Sequence, residues 1–228
     1  MKSSTSITTS KVNHRLSDGL VRQNIVLMSG TAIAPVAACA TNYENAVALS
    51  VGFTMIAFLS IAICRFVPKK IVYTLRVIIY ALIAGLSFIP TYMALVYFYG
   101  SEVIDNLGVY LPILAVNPLI LTKTETRFSL RPFHLMTLEL AGYITGFNVA
   151  CISVGIIRDL MVNARIGNIE VNVTGFGVPA ASTTFGGLLL VGIAAGIFRW
   201  MYNQSKERQA KKAEKERQRQ ETLAMIGD

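Results

Sequence analysis

The chain has 228 residues, 53% of them hydrophobic and only 15% charged, and its mean hydropathy of +0.52 is too high for an ordinary water-soluble domain of this length. The formal net charge of +8 is concentrated in loops and in the last thirty or so residues, which marks membrane topology rather than nucleic-acid binding. Cys39, Cys64 and Cys151 lie far apart, form neither a CxxC site nor a disulfide framework, and read as small packing residues.

Residues 1–24 are polar and mixed in charge, without the short apolar core and small-residue cleavage site of a signal peptide, so a cytoplasmic lead-in is expected there. A membrane span needs about 20 apolar residues at ~1.5 Å rise each. Six stretches approach this: 25–40, 46–67, 71–99, 107–121, 134–157 and 182–202. The expected fold is therefore all-α, a six-span membrane domain over residues 25–202 followed by a basic cytoplasmic tail over 203–228.

The first and fourth stretches are short and carry Pro35, and Pro112 with Pro118, in their middles, so both are expected to be broken spans; the alternative is a simple kink. In lipid a break survives only where protein or a water-filled cavity satisfies the freed backbone groups. These segments should therefore face the bundle interior or a partner. Aligning Pro35 with Pro118 sets Ala34 against Asn117, Thr41 against Thr124, and Glu44 nearly level with Glu125. Interrupted segments at matching positions of two halves point to inverted three-helix repeats, here 25–99 and 107–202, with a functional site between them.

Arg65, Lys69, Lys70 and Arg76 flank the second connection, Lys123, Arg127 and Arg131 the fourth, and Lys206 to Arg219 the tail. The first and third connections carry Glu44, Glu102 and Asp105 and no lysine or arginine, which puts both termini in the cytoplasm. Arg76 is expected to snorkel to the surface. Arg158 and Asp159 are expected to close the fifth span as an ion pair, and the aromatic residues from Tyr92 to Tyr99, with Trp200 and Tyr202, to mark the interfaces. Glu139 is the one carboxylate well inside a span, four residues before Tyr143 and on the same helix face. An acid there is an ion-path candidate, unless the span begins later and leaves it at the surface. His134 has no second metal ligand one helical turn away, Asn172-Val173-Thr174 reads as a chance glycosylation pattern, and no Walker loop, dinucleotide fingerprint or nucleophile elbow occurs.

Gly19-Leu20-Val21-Arg22-Gln23-Asn24 leading into Ala34-Pro35, and Leu107-Gly108-Val109-Tyr110-Leu111-Pro112-Ile113-Leu114 followed by Asn117, resemble the family formed by the E-type membrane subunits of Rnf complexes and the D-type membrane subunits of Nqr complexes. The family's version of the latter stretch is Leu-Gly-Ile-Phe-Leu-Pro-Leu-Ile. Lys123 with Glu125 and Gly155-Ile156-Ile157-Arg158-Asp159 are similar to two further family stretches, and the likeness covers about Gly19 to Arg219. The resemblance implies an inner-membrane, non-catalytic subunit of a redox-driven translocase that is linked to ferredoxin or NADH and moves Na⁺ or H⁺. It also implies packing against a homologous membrane subunit of the Rnf A or Nqr E type, beside other Rnf/Nqr-type subunits and the lipid bilayer. Family members contribute one cysteine from each broken helix to a [2Fe-2S] cluster shared with that partner. Here the sequence departs from the pattern: the matching positions are Ala34 and Pro118, so no cofactor or metal is expected on this chain. What remains expected of Ala34, Pro35, Asn117, Pro118 and Glu139 is a partner interface or ion path. The alternative is a small secondary transporter or channel-like protein that kept the same scaffold.

Overall fold

The computed structural model describes residues 24–126, 128, 132–167, 169–170 and 177–226. After a turn over residues 24–32, α1 covers Ile33–Cys39, α2 Tyr43–Cys64 and α3 Tyr73–Tyr99; then follow α4 Ser101–Leu107, α5 Tyr110–Ala115, α6 Pro118–Thr126 and α7 Phe133–Asn163. A two-residue antiparallel pair, Arg165–Ile166 with Ile169–Glu170, and a 3₁₀ turn at Pro179–Ser182 lead into α8, Thr184–Ile226.

Local chemistry accounts for the boundaries. The N–H of Asn45 donates to Asn42 Oδ1 at 2.8 Å, so Asn42 caps α2, whose first turn carries Glu44. Gly100 (φ 81°) and Gly108 (φ 49°) end α3 and α4 in the left-handed region where glycine is least strained. Pro35, Pro112 and Pro118 all sit in the first turns of α1, α5 and α6, where a helix has no use for the missing N–H. The breaks lie just upstream of the first and last of them, at Gly30 (φ 71°) and at Val116–Asn117. The stretch 25–40 is thus not a continuous helix: seven residues of it form α1, and the rest is turn.

Four helices, α2, α3, α7 and α8, are long and apolar enough to cross a membrane, and a fifth crossing results if α4 and the segment from Tyr110 to Thr126, bent by 68°, count as one span. The second, third, fifth and sixth expected spans therefore correspond to α2, α3, α7 and α8, and the fourth to the bent pair. Leu75, Ile78, Leu82, Leu86, Ile89 and Met93 stand exposed along α3, and Phe185, Leu189, Ile193, Ile197 and Trp200 along α8. A water-soluble monomer does not present apolar stripes of that length, and the chain is a multi-pass membrane protein.

The centre is the antiparallel pair α2 and α7. The rings of Phe53 and Phe147 stack with centroids 4.2 Å apart, and Asn148 Nδ2 donates to Thr54 Oγ1 at 3.1 Å. Cys151 Sγ donates to the Ala46 carbonyl at 3.6 Å, and Gly155 lies so close to Ala46 and Asn42 that a Cβ on it would collide with both. Small residues at a crossing are what allow two helices to approach in lipid, where association rests on packing and hydrogen bonds rather than transfer out of water. Around this pair, α1 packs on α8 while α5 and α6 pack on α3.

Candidate functional site

The two broken segments are held by polar side chains supplied locally and from across the fold. The N–H groups of Val26 and Leu27 donate to Asn24 Oδ1, both at 3.0 Å, and Asn24 Nδ2 donates to the Gly146 carbonyl of α7 at 2.8 Å. Asn117 does the corresponding job in the second half, accepting from Leu119 N–H at 2.9 Å ahead of α6. The Asn24 and Asn117 side chains thus replace backbone partners that the breaks removed. α1 also packs against α5, so the broken segments of the two halves are neighbours.

Between them lies a cleft of about 80 Å³ whose lining includes Ser29 and Thr31 from the first half and Pro118, Thr122, Lys123 and Tyr143 from the second. Pro35 and Asn117 are buried, whereas Ala34 and Pro118 face outward. Glu139 is buried, one helical turn from Tyr143 on α7, so it does not lie on the surface. Lys123 Nζ stands 5.5 Å from the Tyr143 ring centroid, and Phe128 meets the same ring edge-on at 6.2 Å. Glu139, Tyr143, Lys123 and Pro118 thus fall in one neighbourhood. Gly19–Gln23, Arg127, Arg131 and Asn172-Val173-Thr174 lie outside the described residues.

Two arginines behave otherwise than their sequence neighbours suggest. Arg158 is completely buried, and its five N–H donors go to five backbone carbonyls: Ala37 at 2.7 Å and Ala40 at 3.1 Å at the end of α1, then Ala181 at 2.8 Å, Ser182 at 2.9 Å and Thr183 at 3.0 Å before α8. The expected ion pair with Asp159 is replaced by this arrangement. Asp159 accepts instead from Tyr43 N–H at 3.4 Å, Gly167 N–H at 3.1 Å and Asn163 Nδ2 at 2.8 Å, and lies 3.8 Å from Arg165 Nε. Nor does Arg76 snorkel. It folds back on the carbonyls of Lys69 (2.5 Å) and Ile71 (2.9 Å) and pairs with Glu125 of α6, which also accepts from Tyr80 Oη at 2.9 Å.

The last turns of α1 and of α6 are therefore each gripped by an arginine from the other half, an arrangement favoured by the negative end of a helix and not announced by the sequence. One signal was available for Arg158: residues adjacent on a helix do not face each other, so Asp159 was a poor candidate partner.

Cys39, Cys64 and Cys151 are buried free thiols on three helices, and Cys39 Sγ donates to the Leu107 carbonyl at 3.4 Å. Among the described residues no group of three or more His, Cys, Asp or Glu side chains gathers as a metal site. At Ala34 and Pro118 a methyl group and a pyrrolidine ring offer no donor atom, so these residues do not fit an iron–sulfur cluster.

Comparison with known proteins bears on the same elements. The sequence matches the family model described as Rnf-Nqr subunit, membrane protein, over residues 12–199. It is 24% identical over 163 residues to the E subunit of the ion-translocating oxidoreductase complex of Yersinia pestis strain Pestoides F, covering 69% of this chain and 67% of that protein. The protein of the same description from Sodalis glossinidius is 22% identical over 151 residues, covering 66% and 65%. With the match running from ahead of α1 to Arg199 in α8, across every helix that builds the cleft, this chain belongs to the Rnf-Nqr family of membrane-protein subunits.

Proposed function

We propose that this chain is a membrane subunit of an ion-translocating oxidoreductase complex of the Rnf/Nqr type, and that it supplies scaffold and ion path rather than a redox centre of its own. The observation that carries this reading is the outward placement of Ala34 and Pro118, each beside a buried neighbour, at the two positions that face a shared cluster in the family. They form the contact with a homologous membrane subunit, of the Rnf A or Nqr E type. The electron donor is ferredoxin or NADH, and the ion is Na⁺ or H⁺. Ions pass by Glu139, whose burial beside Tyr143 is what a path through the helix bundle requires.

The architecture belonging to this reading is six spans in two inverted repeats, 25–99 and 107–202, between a cytoplasmic segment 1–24 and a cytoplasmic tail 203–228, in the inner membrane. It is supported by the exchange of partners between halves: α1 packs on the last helix of the second half, α5 and α6 on the last helix of the first, and α2 on α7.

Cross-linking tests the contact. In the assembled native complex, Ala34→Cys and Pro118→Cys should each form a bismaleimide product with a homologous polytopic subunit, while a cysteine at Phe58 on the outer face of α2 should not. A chain that purifies as a stable monomer, without a copurifying membrane subunit, would refute the reading and favour the transporter alternative.

A second expectation concerns iron. Changing Cys39, Cys64 and Cys151 together to serine should leave the iron per purified complex and its reduced-state EPR spectrum unaltered, because these thiols pack rather than ligate. A complex that assembles normally yet loses iron would make one of them a ligand.

A further inference from the structure

Helix α8 does not stop at the membrane surface. It is one unbroken α-helix from Thr184 to Ile226, 43 residues long. The apolar part ends near Trp200 and Tyr202, an interfacial pair of aromatics, and Lys206 Nζ stands 5.2 Å from the Tyr202 ring centroid. At ~1.5 Å per residue, Thr184 to Tyr202 spans roughly 28 Å, close to the ~30 Å of a hydrocarbon core. The remainder, Asn203 to Ile226, continues for roughly 36 Å beyond it.

That length decides between two possible contacts for a basic tail. Headgroups extend only about 5–8 Å beyond the hydrocarbon core, and the attraction of an anionic surface fades within a Debye length of ~8 Å. On a helix continuing straight from its span, Lys211 stands ~13 Å and Arg219 ~25 Å past Tyr202, and a typical tilt of ~20° shortens these by less than a tenth. Lys215, Arg217 and Arg219 are therefore out of reach of lipid. The helix also lacks the apolar face of a membrane-surface helix: from Asn203 to Thr222 its only apolar residues are Ala210 and Ala213.

A helix that is polar all round either bridges to another domain or is supported by its own ion pairs. Glu207 and Lys211 stand four apart, a spacing at which opposite charges support a helix. Seven lysines and arginines against four glutamates leave residues 203–226 with a net charge of +3.

We infer that α8 is a docking arm that holds a water-soluble subunit of the same assembly, one presenting an acidic face, tens of ångströms above the membrane. This rests on the proposed complex membership and on a cytoplasmic tail. The acidic face answers the positive charge of the helix.

The test uses the full-length chain in its native membranes with a photo-cross-linking residue at Gln218. It should form a product with one protein that alkaline carbonate releases from the membrane and that proves acidic when sequenced. The yield should fall at least tenfold on raising salt to about 0.5 M and in the exposed double variant Lys211→Glu, Lys215→Glu. Deleting residues 205–228 should release that protein while the cross-link from Ala34→Cys to the membrane partner persists, so the arm and the membrane contact stand or fall separately. Cross-linking to phospholipid, to an integral membrane protein or to nothing, or a yield indifferent to charge reversal, would overturn the inference.

Discussion

Replacing Arg158 by methionine is expected to destabilise the folded chain more than any other single change. Methionine keeps most of the volume but none of the five donors, which strands the buried carbonyls of Ala37, Ala40 and Ala181; the Ser182 and Thr183 carbonyls are part-buried, and that of Thr183 keeps the Gly187 N–H at 3.0 Å. A buried acceptor left without its partner costs about 1–3 kcal/mol. Three of them together cost about 3–9 kcal/mol, a large share of the whole stability of a domain, about 5–15 kcal/mol. Lysine restores the charge with three donors on a compact head that cannot copy the planar fork, so Arg158→Lys should be intermediate. With Cys64 and Cys151 changed to serine, maleimide labelling of Cys39 reads the local event, because the thiol is buried against the Leu107 carbonyl only while α1 is seated. The order of labelling rates should be wild type, Arg158→Lys, Arg158→Met, with detergent melting temperatures in the reverse order. Equal melting temperatures and a protected Cys39 in the methionine variant would show that the five contacts contribute little.

Gly155→Leu should be the next most damaging change. A Cβ at this position already overlaps Ala46 Cβ and comes within 2.9 Å of the Asn42 carbonyl oxygen, which is backbone and cannot swing aside. The larger side chain must push α7 off α2 and break the contacts of Cys151 and Asn148 with it. Overpacking of this kind costs about 1–3 kcal/mol in soluble cores. Here the crossing joins the two helices that bury the most surface, each 56% buried along its apolar stretch. Gly192→Ala and Gly196→Ala, where nothing lies within 4 Å of the added methyl, should match the parent or gain slightly from helix propensity. A melting temperature for Gly155→Leu equal to that of Gly192→Ala would place the crossing elsewhere.

The helices were legible because lipid imposes a simple demand, a long apolar run with its backbone bonds satisfied, and α2, α3 and α7 meet it with boundaries a few residues from those expected, whereas α8 begins near the expected start but runs on to Ile226 instead of ending at 202. The breaks were legible through proline, although proline marks where the short helices resume rather than where the chain bends. Glu139 and Tyr143 fall on one face because four residues make about one turn. What the sequence concealed was the long-range polar chemistry. Arg158 finds carbonyls 118 and 121 residues away, and Arg76 a carboxylate 49 residues away. Backbone carbonyls are present at every residue, so no pattern of residue types announces which of them an arginine will choose.

The Arg158 clamp also orders events during biosynthesis. α1 leaves the ribosome well before α7: the side chain that satisfies its last carbonyls is encoded 121 residues later, and the strand of backbone completing the clamp, Ala181 to Thr183, later still. At about 5–20 residues per second, the nascent chain waits roughly 6–24 s for Arg158 alone. Through that interval α1 has an exposed carbonyl end that lipid cannot satisfy, so it must remain in the insertion machinery or at the aqueous boundary until α7 arrives. Helix α1 is consequently made well before it can be installed.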